Sequence, residues 1–137
     1  MEPQVDFGVL DRVLVPGGRV GLQAITMPHD RMLAGARSYT WIHKYVFPGG
    51  LIPSAPAIEQ TVRAHTTLRE SASRSFGPDC AETLRQWREA FLSRWETSTE
   101  LGFDDTFRRM WECYPAYSEA GFRVGYLDVR QFAYVKA

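Results

Sequence analysis

An α/β fold is what this sequence predicts, and three observations carry that expectation. A short helical segment is cut off by a Pro-Gly-Gly turn and runs directly into an apolar strand at Arg19–Thr26. Two long stretches in the second half place aromatic residues at helical spacing. The chain then ends on Tyr126–Val135, which is rich in β-branched and aromatic residues.

Phe7 to Leu14 reads as a short helix with Leu10 and Leu14 on one side, and Val15-Pro16-Gly17-Gly18 stops it. Arg19 to Thr26 is mostly apolar and is expected to be buried on both faces. Met27 to Tyr45 reads as a loop with a short helix. Phe47 to Ser54 holds four Pro or Gly in eight residues and must turn. Ser54 is then positioned to cap a helix with Pro56 in its first turn, running to about Arg63. The polar stretch His65–Ser75 reads as a weak edge strand. From Cys80 the residues Leu84, Trp87, Phe91 and Trp95 continue one helical face, with Asp79 as N-cap, Glu82 completing a capping box and Gly102 closing the helix. A second helix carries Phe103, Phe107, Met110, Trp111, Tyr114 and Tyr117, an aromatic stripe expected to be core. Pro115 is expected to kink it or end it early.

Composition narrows the function classes. The 137 residues suggest one domain or part of one, long enough to bury roughly 68% of its unfolded surface. Sixteen Lys and Arg match sixteen Asp and Glu, so the totals offer no electrostatic case for nucleic acid or an anionic membrane. Cys80 and Cys113 are far apart, which argues against a disulfide framework or a zinc site. His29, His43 and His65 have no metal-ligand spacing and are assigned to the surface. The first six residues lack the form of a signal peptide, and no apolar run approaches a membrane span. The expectation is a reduced, cytoplasmic chain.

Several phrases, in order, resemble the cyclopropane-fatty-acid synthase family, which includes the mycolic acid cyclopropane synthases. They are Leu14-Val15-Pro16-Gly17-Gly18-Arg19 with Leu22-Gln23-Ala24-Ile25-Thr26, and Lys44-Tyr45-Val46-Phe47-Pro48-Gly49-Gly50 with Pro53-Ser54. Gly77-Pro78, Phe107-Arg108-Arg109-Met110-Trp111, Gly121-Phe122-Arg123 and Gln131 follow. The resemblance covers nearly the whole chain from about Phe7. It implies the C-terminal portion of a class I S-adenosylmethionine-dependent methyltransferase, a Rossmann-like sheet with helical insertions and an antiparallel last strand. It also implies transfer of a methyl or methylene unit from S-adenosylmethionine to the double bond of a lipid acyl chain, with a bound bicarbonate taking up a proton.

By the same resemblance, Gln23, Ile25 and Cys80 fall at bicarbonate-site positions, Gln23 by side chain and Ile25 by backbone. Tyr45, Phe47 and Leu84 fall at acyl-binding positions. Four of them have a plainer explanation: a polar side chain satisfied in a sheet for Gln23, core packing for Cys80, Phe47 and Leu84. Cys80 replaces the family's tyrosine, Pro115 stands where leucine is usual, and Arg69–Ser75 is more polar than the family's strand.

The family grips its cofactor with a Gly-rich turn after the first strand of the sheet. Gly17-Gly18 precedes a strand instead. The whole chain, 1–137, is therefore expected to be a single partial domain without the cofactor-binding half, and inactive alone. Two other readings stand beside this: one half of a split enzyme completed by a partner chain, or a non-catalytic lipid-binding or interaction module. The expected partners are a lipid acyl chain or a membrane surface met peripherally, and no nucleic acid.

Overall fold

The structure, a computed structural model, describes residues 6–137. Residues 1–5, the bulk of the stretch read as lacking a leader, lie outside it. The element order is α1 (Phe7–Val13), β1 (Arg19–Thr26), α2 (His29–Gly35), α3 (Trp41–Tyr45), α4 (Ala55–His65), β2 (Leu68–Ser75), α5 (Gly77–Ser93), α6 (Trp95–Glu100), α7 (Asp105–Arg123) and β3 (Asp128–Lys136). The chain divides into two compact units, Met1–Ser75 with Val129–Ala137, and Phe76–Asp128.

The first unit is built on a three-stranded sheet of order β1-β3-β2, so the last strand is central. β3 runs antiparallel to β2, with Leu68 opposite Lys136 and Ser75 opposite Arg130, and a bulge falls between Glu70 and Ala72. It also runs antiparallel to β1. Lys136 N–H donates to Gly18 O at 2.9 Å at one end, and further along Gln131 meets Gln23. Phe7, Ile58, Val62, Leu68, Phe132 and Tyr134 form the buried core, with Leu10, Leu14, Val20, Leu22 and Ala24 packed against it. Caps hold the helices that cover this face. Asp6 accepts from Val9 N–H on α1, and Ser54 accepts from Ala57 N–H at 3.1 Å on α4, whose first turn contains Pro56.

The expectation that β1 is buried on both faces is corrected. Its residues alternate: Val20, Leu22 and Ala24 face the core, while Arg19, Gly21, Gln23 and Ile25 are exposed. In a strand, successive side chains point to opposite faces, and only one face of this sheet carries the α1–α4 core.

In the second unit α5 packs against α7. α5 begins earlier than the sequence suggested. Gly77 opens it, Pro78 lies in its first turn, and Phe76 occupies the N-cap position. Asp79 is therefore inside the first turn, where its charge favours the helix N-terminus, and it forms no capping box with Glu82. Glu82 instead accepts from Arg85 and Gln86. α5 also ends sooner, at Ser93. The Ser93 hydroxyl donates to Ala90 O at 2.9 Å and competes for a helix carbonyl there. Trp95 belongs to α6, and Gly102, with φ +91°, follows it.

Pro115 does not end its helix. α7 continues to Arg123, capped at its start by Asp104, which accepts from Phe107 N–H at 2.9 Å. An interior proline costs about 3 kcal/mol in lost hydrogen bonding and ring clash. Burial of Pro115, Ser118, Glu119 and Phe122 on the α7 face and the ion pairs of Glu119 with Arg88 (3.5 Å) and Arg123 (2.7 Å) offset it. The aromatic stripe is not the core of this helix. Phe103, Trp111 and Tyr117 are exposed, with Phe103 stacking on Phe107 at 4.2 Å and Trp111 meeting Phe107 tilted and Tyr114 edge-on. Trp87 on α5, also read as part of a packed face, is 65% exposed.

Candidate functional site

The six candidate residues fall into three pairs. In the first unit, the two-residue period of β1 puts Gln23 and Ile25 side by side on its exposed face, about 6.6 Å apart along the strand. Gln23 is not alone there. Its Oε1 accepts from Gln131 Nε2 at 2.8 Å, across the β1–β3 ladder. The carbonyl end is committed, and the Gln23 NH2 group keeps its donors for something else. Gln131 had been singled out in the sequence without a role, because nothing local announces a partner 108 residues away.

Tyr45 and Phe47 form the second pair, at the end of α3 and the start of the turn after it. Phe47 O accepts from Gly50 N–H at 3.0 Å, and Gly49 has φ +74°. Proline followed by a residue at positive φ is the chemistry of a type II turn, so the Pro48-Gly49 dipeptide is what aims this segment. Both side chains are exposed, and Lys44 Nζ lies 4.8 Å from the Tyr45 ring centroid. The segment is anchored from behind. Buried Ser54, besides capping α4, meets His29 Nδ1 at 2.7 Å, and its N–H donates to Met32 Sδ. His29 is exposed as expected, yet it ties the exit of β1 to the start of α4.

In the second unit, Cys80 and Leu84 lie one turn apart on α5. Leu84 is buried with Ala81, while Cys80 is half-buried. Burial first, then the Asp79 and Asp128 carboxylates, push the Cys80 thiol above the ordinary range, so it stays protonated at neutral pH. The same helix start is held by Asp128, whose Oδ1 accepts from Gly77 N–H at 3.0 Å. A Cβ on Gly77 would sit 3.0 Å from that oxygen, which explains glycine at this position.

A nucleoside cofactor is normally cradled where a strand passes through a Gly-rich turn into a helix. The described residues do not fit that requirement. The turn from β1 to α2 is Met27-Pro28, and Gly17-Gly18 lies before β1. No group of three or more His, Cys, Asp or Glu gathers among the described residues in a way that would hold a metal. No helix among them is long and apolar enough to cross a membrane.

A sheet with a central antiparallel last strand and a helical insertion before it defines a class. The fold is that of S-adenosylmethionine-dependent methyltransferases, and a solved mycolic acid cyclopropane synthase complexed with SAH and CTAB superposes with TM-score 0.81 at 26% identity, over 95% of this chain and 48% of that one. Within that class the chain belongs to the mycolic acid cyclopropane synthetase family, whose pattern matches residues 4–132. It is 55% identical over 130 residues to a tuberculostearic acid methyltransferase of Mycobacterium tuberculosis, covering 95% of this chain and 30% of that protein. It is 30% identical to the cyclopropane-fatty-acyl-phospholipid synthase of Escherichia coli K12, over 93% of this chain and 32% of that one. The chain thus spans about a third of these two relatives and about half of the solved structure.

Proposed function

We propose that this chain supplies the acyl-facing part of a methyltransferase that adds a one-carbon unit to the double bond of a lipid acyl chain. The observation that carries the reading is the 55% identity to the tuberculostearic acid methyltransferase over 95% of the chain. Fatty-acyl methylation of the kind that relative's name describes is favoured over the other products of the family, because identity to the cyclopropane synthase is only 30%.

All but one of the candidate residues have a task in this reading. Tyr45 and Phe47 offer apolar surface to the acyl chain, whereas Leu84, the third acyl-binding position by resemblance, is buried in the helical unit and exposes no such surface. Gln23 directs its uncommitted amide N–H donors at an anion such as bicarbonate, with the Ile25 backbone beside it. Cys80, kept protonated, contributes at most a weak S–H donor. S-adenosylmethionine is the donor of the class. The described residues do not cradle it, so the chain alone is proposed to be inactive and to depend on cofactor-holding strands supplied from elsewhere.

The test is complementation. The folded chain is titrated calorimetrically with S-adenosylmethionine, then assayed for methyl transfer to oleoyl phospholipid. Assays are run alone and with the cofactor half of the 55%-identical relative. The expected result is transfer only in the combined sample. Binding of the cofactor by the isolated chain would overturn the division of labour, and a folded, associated pair without transfer would overturn the catalytic reading. The exposure of Tyr45 and Phe47 favours a second reading, a lipid-binding module without chemistry. That reading predicts binding of a fluorescent fatty acid by the isolated chain and no transfer under any complementation.

A further inference from the structure

A glutamine amide has a donor at one end and an acceptor at the other, so a bond between two glutamines can run in either direction. The bond from Gln131 Nε2 to Gln23 Oε1, 2.8 Å long, therefore takes its direction from the groups around it. With both amides turned end for end, Gln131 Oε1 would accept from Gln23 Nε2, and Gln23 would present its carbonyl oxygen instead of its N–H donors. The two arrangements suit opposite ligands. An outward NH2 group attracts an anion, and an outward carbonyl attracts donors and cations.

The register of the sheet supplies a group of fixed polarity. Arg74 on β2 lies directly opposite Gln131 on β3. Residues so placed in an antiparallel pair share a face of the sheet, with Cβ atoms about 5 Å apart. One row thus crosses all three strands, Gln23 on β1, Gln131 on β3 and Arg74 on β2, and all three residues are exposed. Two residues away on the same face stand Gly21 and Ile25 on β1, Val129 and Ala133 on β3, and Ala72 on β2, none with a polar side chain. A guanidinium is all donor and no acceptor. Facing Gln131, it favours the amide orientation that turns the Gln131 oxygen toward β2 and the Gln131 NH2 toward β1. Gln23 then accepts with its own oxygen, and its NH2 faces away from the row.

We propose that Arg74 and Gln131 are positioning residues: a donor-only side chain on β2 sets two amides in series, so that Gln23, two strands away, offers N–H donors and selects an anion. The 2.8 Å bond passes the direction on, and Arg74 decides which direction it is. The proposal rests on the anion-binding role given to Gln23 above, but the direction of the row is measurable without any ligand.

The experiment is nuclear magnetic resonance of the full chain, labelled with nitrogen-15 and read at the glutamine side-chain amides. Without ligand, one Gln131 Nε proton is expected to show the small temperature coefficient of a bonded donor, and the Gln23 Nε protons are not. Arg74→Lys keeps a donor-only group and keeps this pattern. Arg74→Glu puts an acceptor in its place and reverses both amides, so that Gln23 becomes the bonded donor. Gln131→Glu makes Gln23 a donor directly. Sodium bicarbonate is then titrated at constant ionic strength. The Gln23 Nε signals are expected to shift saturably with bicarbonate and not with chloride. Arg74→Glu lowers the apparent affinity about tenfold or more, the loss of a hydrogen bond to a charged group. Ala133→Glu adds an acidic group to the same face outside the row and lowers it less. Far-UV spectra confirm that each variant is folded. Gln23 as the bonded donor in the unaltered chain, or an unreversed pattern in Arg74→Glu, would overturn the proposal. An equal loss from Ala133→Glu would replace direction with plain charge and overturn it as well. The expected amide pattern without a bicarbonate response overturns the anion selection, and with it the role of Gln23 in the reading above, while the direction of the row stands. Both arms as expected, without methyl transfer on complementation, remove the catalytic reading alone and uphold the positioning.

Discussion

The two units of this chain are held together by different means. In the sheet unit, large apolar side chains carry the fold: Phe7, Ile58, Val62, Leu68, Phe132 and Tyr134 are all buried. In the helical unit the buried positions of α7 are Pro115, Ser118, Glu119 and Phe122, of which only Phe122 is a large hydrophobe. Its larger rings are laid out in contact along the surface instead, from Phe91 to Phe107 at 6.2 Å and from Phe107 to Trp111 at 6.0 Å. A chain of ion pairs crosses its helices, Arg88–Glu119–Arg123–Glu82–Arg85. One unit is specified by apolar volume. The other is specified by charge and by the facing of rings.

Mutation should separate these modes. Phe132→Ala in the sheet unit is expected to cost about 3–5 kcal/mol, read by denaturant unfolding followed by circular dichroism. A cost below about 1 kcal/mol would mean that the central strand is not bearing the core. In the helical unit Glu119→Gln is expected to cost about 1–3 kcal/mol, because two arginines lose a mostly buried acceptor. Three of the four tryptophans, Trp87, Trp95 and Trp111, lie in that unit, so fluorescence reports on it selectively. No shift in the fluorescence transition would show that the ionic chain is ornamental.

The pH dependence offers a smaller but sharper contrast. Burial, and then the Glu70 and Glu59 carboxylates, push the Tyr134 phenol up from 10.0 to about 12. Its contribution is present below the ordinary tyrosine value and is lost as pH rises from there toward about 12. Glu82 is opposite in sign. Hydrogen bonds from Arg85 and Gln86, with the charges of Arg85 and Arg123, hold it down from 4.5 to about 2. Its contribution is present above 4.5 and is lost as pH falls toward about 2. The sheet unit should therefore yield first to alkali and the helical unit first to acid. Ultraviolet titration of the tyrosines and tryptophan fluorescence between pH 2 and 4.5 read the two ends. A single coincident transition at both extremes would erase the distinction.

The same division governs what could be read before the fold was known. The bounds of β1, the Ser54 cap of α4 and the turn at Pro48-Gly49 were legible, because Pro, Gly and Ser act locally on the backbone. The edge character of Leu68–Ser75 was legible from its polarity. The buried face of α7 was not. Helical spacing finds a stripe of rings, but it does not say whether the partner helix lies on that stripe or beside it, and here α5 takes the side of Ser118 and Glu119. Asp79 looked like a cap because the pattern fits, and Pro78 one residue earlier had already placed it inside the helix. In the candidate site, Gln23 was found through resemblance. Its bond to Gln131 depended on a strand register that no local rule specifies.

The central position of β3 has a consequence for the order in which this protein is made. Among the described residues β1 and β2 are not neighbours, and each pairs with Asp128–Lys136, which is synthesised after all of α5, α6 and α7. During translation the helical unit can close on itself before β3 is available to pair with β2. The charges and the bulge of β2 then guard a nascent chain as well as a finished edge, since an interrupted polar strand is a poor template for its neighbours on a polysome. Late completion of the pairing of β3 with β1 and β2, after the helices between them have been made, is built into the strand order.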